Sequence, residues 1–180
     1  MVPQKNEVLA AALAQTNALL ADVLGRPDLQ LELVSHTSAR PTARAFERLA
    51  GLRRKMKHWD WEELFFKHAR RPRGWMCAMV LRGEGPSAMC KGRIEVSDGY
   101  VSIDYLESSG DERLKGMVAP TAFQFARAIA LLLDVDEVRL NEPFAELVEY
   151  YEGVLGIFGI PAVRHPAEGG VKFLSVKVQP

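Results

Sequence analysis

The sequence predicts an α/β fold in which helices pack on one mixed sheet (α+β), and three observations carry that prediction. The apolar residues switch along the chain between helical spacing of three to four and strand spacing of two. Three successive period-two runs, "WMCAMVLRG", "AMCKGRIEVSDG" and "YVSIDYLES", occupy the middle of the chain, with an Asp98-Gly99 turn signal between the last two. The 180 residues, 48% apolar and 26% charged, suffice for one domain with its own core.

The elements follow in order. Residues 1–27 hold a helix of about 18 residues. Leu9, Leu13, Leu20 and Leu24 lie on or near one stripe of it, Leu19 and Val23 stand beside them, and Gly25 and Pro27 end the pattern. Leu29, Leu31 and Leu33 then alternate with Gln30, Glu32 and Val34 as a strand. Pro41 opens the helix "TARAFERLAGLRRKMK", a shorter helix lies in "WDWEELFFKHA", and "RRPRG" breaks the pattern before the three central strands. After these, Ala119 to Leu133 reads as a helix buried on most sides. "VDEVRL" is a short strand, "EPFAELVEYYEGVL" a helix with Pro143 near its first turn, and "IPAVRH" and "VKFLSVKV" are strands around the turn "PAEGG".

Bulk properties narrow the function classes. The formal net charge is zero and the sequence pI about 6.9, so overall charge gives no case for a nucleic acid or a membrane surface. Cys77 and Cys90 match neither a redox CxxC nor a zinc knuckle and read as buried thiols in a reducing compartment. His36, His58, His68 and His165 have no metal-ligand spacing, so no metal is expected. The first 25 residues have neither the continuous apolar core of a signal peptide nor the run of about 20 apolar residues that spans a bilayer. A cytoplasmic protein is expected.

Two stretches carry chemistry. In "RLKGMVAP" a glycine leads into the long apolar helix, and the N-terminus of a helix, with unpaired N–H groups and the positive end of the dipole, is an anion site. In "VRLNEPFAELVEYYEGVLGI", Phe144, Leu147, Val148, Tyr151 and Leu155 recur at helical spacing, which places Tyr151 on the inner face and Tyr150 off the apolar stripe.

From Leu29 to the C-terminus, the element order and these two stretches resemble the Gcn5-related N-acetyltransferases. The resemblance implies that family's fold as a single domain over residues 1–180, with an additional N-terminal helix over residues 1–27, and acetyl coenzyme A as co-substrate. "RLKGMVA" is similar to the family's Q/R-x-x-G-x-G/A loop, with Arg113 and Gly116 in register; Val118 stands where the family has Gly or Ala, and Pro120 lacks an N–H. The resemblance implies that Arg113, Lys115, Gly116, Met117 and Val118 hold the pyrophosphate. The second stretch is similar to the family's N-x-x-A-x-x-x-Y-x-x-x-G-F ending in stretched form, through Asn141, Ala145, Tyr151 and Gly156. It implies a cofactor contact for Asn141, where capping of the next helix is the alternative. For Tyr151 it implies proton donation to the departing thiolate, where packing in the core is the alternative.

An amine must lose a proton before it attacks a thioester, so a carboxylate near the ends of the fourth and fifth strands is wanted. "YVSIDYLES" offers Asp104 and Glu107, which strict alternation sends to opposite faces; Glu107, at the strand end, is the preferred base. Residues 40–73 carry eleven Lys or Arg against four acids, a net of +7 that leaves −7 elsewhere. With Trp59, Trp61, Phe65 and Phe66 interleaved, this stretch reads as a solvated helical face over core aromatics, or as a groove for an acidic partner or nucleic acid. The expected function is therefore transfer of an acyl group, acetyl in the first instance, to a primary amine on a small molecule or protein. The alternative is a non-catalytic binding module acting through residues 40–73. The apolar stripe of the first helix leaves open whether it caps the domain or pairs two chains in a homodimer.

Overall fold

The computed structural model describes residues 4–51, 59–69, 73–156 and 161–178, without the side chains of 67–69. Helix α1 (Lys5–Ala18) continues into a wide turn at Leu19–Val23 and is followed by β1 (Leu29–Leu33), α2 (Ala39–Gly51) and α3 (Trp61–Ala69). The centre of the chain forms β2 (Gly74–Leu81), β3 (Gly85–Glu95) and β4 (Tyr100–Ser108). Then come α4 (Val118–Leu132), β5 (Glu137–Asn141), α5 (Val148–Gly156), β6 (Val163–Ala167) and β7 (Gly170–Lys177).

The seven strands make one sheet in the order β1-β2-β3-β4-β5-β7-β6. Only β4 and β5 run parallel, because α4 carries the chain from one to the other as a crossover; every other neighbouring pair is antiparallel. The Asp98-Gly99 signal does mark the β3–β4 hairpin, but through a four-residue connection: Glu95 pairs with Tyr100, Val96–Asp98 form a single tight turn, and Gly99 supplies the left-handed residue at φ 75°.

The sheet separates two cores. On one face Trp75, Cys77, Met79, Cys90, Val101, Ile103, Val138 and Leu174 pack with Phe123, Phe125, Ala126 and Ile129 of α4 and with Val8, Leu9 and Ala12 of α1. On the other, Met76, Ala78 and Met89 pack with Phe46 of α2 and with Trp61 and Phe65 of α3. The near-continuous apolar run of β2 is explained by burial on both faces. Cys77 and Cys90 face each other across β2 and β3, fully buried, and burial followed by the neighbouring Cys77 thiol pushes the Cys90 thiol well up, away from reactive thiolate.

Helix α1 covers the open edge of the sheet. Asn17 donates from Nδ2 to the Leu31 carbonyl at 3.0 Å and accepts the Leu31 N–H at 2.7 Å, so both outward backbone groups of the edge strand at that residue are satisfied. The predicted stripe is buried at Leu9 and Leu20, but Val23, which ends the wide turn, and Leu24, which follows it, stay exposed. Pro41 falls in the first turn of α2, which begins two residues earlier, after Ser35 and Ser38 exchange backbone and hydroxyl hydrogen bonds. Of the basic stretch, residues 53–55, 57, 70 and 71 and the side chain of Lys67 lie outside the described residues.

Gly92 is the tightest point of the sheet. A Cβ there would sit 1.8 Å from the Ser102 carbonyl oxygen and 2.4 Å from the Trp75 ring. Neither neighbour is the free end of a flexible chain, so Gly92→Ala is expected to destabilise the protein by about 2–4 kcal/mol, read as a lower urea midpoint. An unchanged midpoint would show that the strands can part there at no cost.

Candidate active site

The site begins where two parallel strands stop pairing. β4 and β5 are in register from Tyr100 with Glu137 to Ile103 with Leu140, and there the pairing ends. At that point β4 carries one residue more than β3: Lys91 pairs with Tyr105 and Gly92 with Ile103, leaving Asp104 as a bulge. Asp104 accepts from Arg93 Nε at 2.7 Å and Nη2 at 3.2 Å, from the Ser102 hydroxyl at 2.8 Å and from Asn141 Nδ2 at 2.6 Å. Burial raises the pKa of this carboxyl, but the Arg93 guanidinium and the two neutral donors outweigh burial and hold it below its ordinary value of 3.8.

The bulge resets the alternation of β4. Val101 and Ile103 face the α4 core before it; after it Leu106 faces that core, while Tyr105 packs in the α2–α3 core. The expectation that Asp104 and Glu107 point to opposite faces is thereby corrected. Asp104 lies with Ser102 and Arg93 on the face away from α4, and Glu107 lies on that same face, against α3. Isolated Gly92 in the middle of a strand pattern was the sequence signal for this irregularity.

Glu107 is held by α3 and the residues before it. Its Oε2 accepts from the Trp61 indole Nε1 at 2.6 Å and from the Trp59 backbone N–H at 3.3 Å. Trp61 is fully buried, so its ring is a fixed post for the carboxylate, whereas Trp59 is half-exposed with its ring edge-on to Tyr105 at 4.9 Å. The aromatics of the basic stretch thus divide: Trp61 and Phe65 are core, and Trp59 and Phe66 reach the surface. The described basic residues are partly neutralised, Arg40 and Arg44 by Glu62 and Arg73 by Glu95.

The loop after β4 narrows into α4 through two tight turns. Asp111 accepts the Arg113 N–H, and the Met117 N–H donates to the Leu114 carbonyl at 2.9 Å across Lys115 and Gly116. Lys115 at φ −56°, ψ 124° and Gly116 at φ 74° make this a type II turn, which requires a positive φ at the position Gly116 holds. A Cβ on Gly116 would meet nothing within 4 Å, so its backbone conformation, not crowding, selects glycine there. The first intrahelical bond of α4 runs from the Thr121 N–H to the Met117 carbonyl, which leaves the Val118 and Ala119 N–H groups without a partner inside the helix, while Pro120 has none to offer. Of the four N–H groups that a helix start leaves without intrahelical partners, Met117 spends its own on the turn and Pro120 has none, so two remain, next to an exposed Lys115 ammonium.

A cavity of about 560 Å³ joins these parts. It brings Glu107, Lys115, Gly116, Val118 and Tyr151 together, along with Trp59, Leu106, Phe144, Leu147 and Tyr150. Leu106 and Glu107 leave β4 on opposite faces and both line the cavity, beyond the last β4–β5 pair, Ile103 with Leu140. The Tyr151 phenol is pushed up to about 12, first by burial and then by Tyr150 and Cys90, and stays protonated at neutral pH. Three expected residues have their groups engaged elsewhere. The Arg113 guanidinium is clamped by Glu84 at 2.5 and 2.6 Å and by Asp111 at 2.6 Å, the Met117 N–H is spent on the turn, and Asn141 ties the end of β5 to Asp104 instead of capping a helix. Trp59, Phe144 and Leu147 were missed as site residues because only the third dimension carries them to Glu107 and Tyr151.

Comparison with solved structures decides what this architecture is. Spermidine N-acetyltransferase from Vibrio cholerae, in complex with CoA and spermine, superposes with a TM-score of 0.57 at 14% identity, over 85% of this chain and 97% of that one. Tetrahymena Gcn5 gives 0.55 at 10% identity, over 84% and 97%. An acetyltransferase of the GNAT family from Staphylococcus aureus Mu50 gives 0.56 at 7% identity, over 84% and 99%. The chain has the Gcn5-related N-acetyltransferase fold. No protein-family model matches the sequence, and no curated protein does. The fold is thus kept at identities where few side chains coincide, and the cleft has to be read from its own residues. Among the described residues, no helix is long and apolar enough to cross a membrane.

The Asp104 cluster has a pH signature. A carboxyl whose folded pKa lies below its unfolded value contributes stability above pH 3.8 and loses it as pH falls through the folded pKa. Asp104→Asn is therefore expected to cost about 2 kcal/mol at pH 7, with the gap to wild type closing below pH 3.8 in urea titrations. A gap constant from pH 7 to pH 3 would remove Asp104 as the charged centre of the cluster.

Proposed function

We propose that the protein transfers an acetyl group from acetyl coenzyme A to a primary amine. The observation that carries this reading is the single cavity in which a carboxylate, a buried phenol and the glycine turn at the start of α4 meet, at the end of β4 beyond its pairing with β5, in an acetyltransferase fold. The chain is read as one domain, residues 1–180, with residues 1–27 as its addition.

Each residue then has a task. The Val118 and Ala119 N–H groups and the Lys115 ammonium bind the pyrophosphate of the co-substrate, with Gly116 shaping the turn that presents them. Arg113 acts one step back, holding Asp111 and Glu84 so that the turn keeps its form. The parted backbones of β4 and β5 receive the pantetheine arm. Glu107 takes a proton from the acceptor nitrogen, held on the correct side by Trp61 and the Trp59 N–H. A C–N bond forms at the thioester carbonyl, the C–S bond breaks, and the Tyr151 hydroxyl gives its proton to the departing sulfur. A phenol kept neutral by burial suits that donor role.

Acetyl coenzyme A as co-substrate and two buried free thiols support a cytoplasmic setting. The reading as a binding module for an acidic partner or nucleic acid has less to stand on, since Glu62 and Glu95 already meet three of the described arginines.

Acetyl coenzyme A at about 100 times its dissociation constant is expected to stabilise the fold by roughly 2.7 kcal/mol in a thermal unfolding experiment. The absence of any shift at millimolar ligand would sink the acyl-transfer reading. Given a substrate, Glu107→Gln and Tyr151→Phe are each expected to lower kcat by about 10²- to 10⁴-fold while leaving the acetyl coenzyme A shift in place. Full kcat in Tyr151→Phe would remove Tyr151 as the acid and leave the rest standing.

A further inference from the structure

The mouth of the cavity is aromatic on both sides of the gap. Trp59, just before α3, and Phe144, in the connection between β5 and α5, are 37% and 46% exposed, and both line the cavity. Large apolar rings left open to solvent at the entrance of a cavity mark a surface that a ligand covers. Their planes differ by only 22° and their centroids are 6.3 Å apart. Parting them to about 7 Å, twice the contact distance of about 3.5 Å between stacked carbon atoms, admits one flat ring between them.

The charges around that slot are equally specific. Trp59 presents its ring to the slot and its backbone N–H to Glu107 Oε2, so one residue sets the position of both the aromatic wall and the carboxylate. Of the other acids lining the cavity, Asp111 is 5% exposed and clamped by Arg113, and Glu112 stands 85% exposed beside Lys115 at 3.8 Å. Next to the aromatic slot, the lining therefore supplies a carboxylate for a single ammonium group. A polyamine, with further ammonium groups spaced along its chain, would set them against tryptophan and phenylalanine, while the exposed lining carboxylate, Glu112, stands beside Lys115 at the start of α4 and away from the slot's own carboxylate, Glu107.

We propose that the acceptor is a monoamine carried on a flat aromatic body, its ring gripped between Trp59 and Phe144 and its amino group delivered to Glu107. This rests on the acyl-transfer reading and narrows it to a substrate class. The Trp59–Phe144 pair determines specificity, while Glu107 does the chemistry whatever the acceptor.

The test is a rate comparison with acetyl coenzyme A and three amines: 2-phenylethylamine, n-butylamine and spermidine. The aromatic amine is expected to have a kcat/KM at least about tenfold above both others, the order of discrimination a ring-sized apolar contact provides. In Phe144→Ala the ratio of 2-phenylethylamine to n-butylamine should fall toward one, chiefly through KM, and Phe144→Tyr, which keeps the ring, should restore it. Equal or better use of spermidine, no turnover of any of the three, or a ratio unmoved by Phe144→Ala would each overturn the proposal. The acetyl coenzyme A thermal shift separates the two levels. If the shift is present and the ratio fails, only the acceptor class is wrong; if the shift itself is missing, the acyl-transfer reading falls and the acceptor class with it.

Discussion

One extra residue in β4 organises the site. Because Asp104 has no partner on β3, everything after it is turned by one position, and Glu107 faces α3 where strict alternation would put it in the α4 core. The same irregularity lies where β4 and β5 cease to pair, just before the β4 residues that line the cavity. Two supports hold the bulge. Gly92 lets β3 approach the Ser102 carbonyl with Trp75 lying across it, and the Asp104 carboxylate draws Arg93, Ser102 and Asn141 into one cluster. A buried charge with this many donors is costly to strip of its partners, so the bulge is fixed in place and does not slide along the strand.

The start of α4 keeps its turn and its helix-end donors although the sequence departs from the motif it resembles. Val118 and Pro120 depart from the pattern that the loop resembles, yet Val118 contributes its N–H from the first helical position while its side chain packs beside the α4 core. Proline at the third position removes a single donor and fits the first turn without strain. What the loop lacks in helix-end donors it partly regains as charge, because Lys115 is exposed beside them and Arg113 is spent on keeping the turn in shape.

Much of the fold was legible from periodicity. The strand runs, the buried helix after Gly116 and the Asp98-Gly99 hairpin all appear where the pattern of apolar residues puts them, since a two-faced sheet between two cores imposes strong local constraints. The misses have local causes. Asn141 looked like a helix cap because Glu142 and Pro143 follow it, but α5 begins only at Val148, and the asparagine side chain is free to reach Asp104. Phe144 fitted the apolar stripe by spacing, but it precedes the helical turns and swings to the surface.

The sequence by itself determined the order of elements, the glycine turn and the inward face of Tyr151, because each depends on residues within one or two turns of chain. Tertiary structure alone decided the pairing of Glu107 with Trp61 across 46 positions, the clamp of Glu84 on Arg113 across 29, and the approach of Trp59 to Phe144. These contacts join segments from different strands and helices, so no local spacing encodes them; they exist because a bulge and a gap in one sheet bring those segments to the same place.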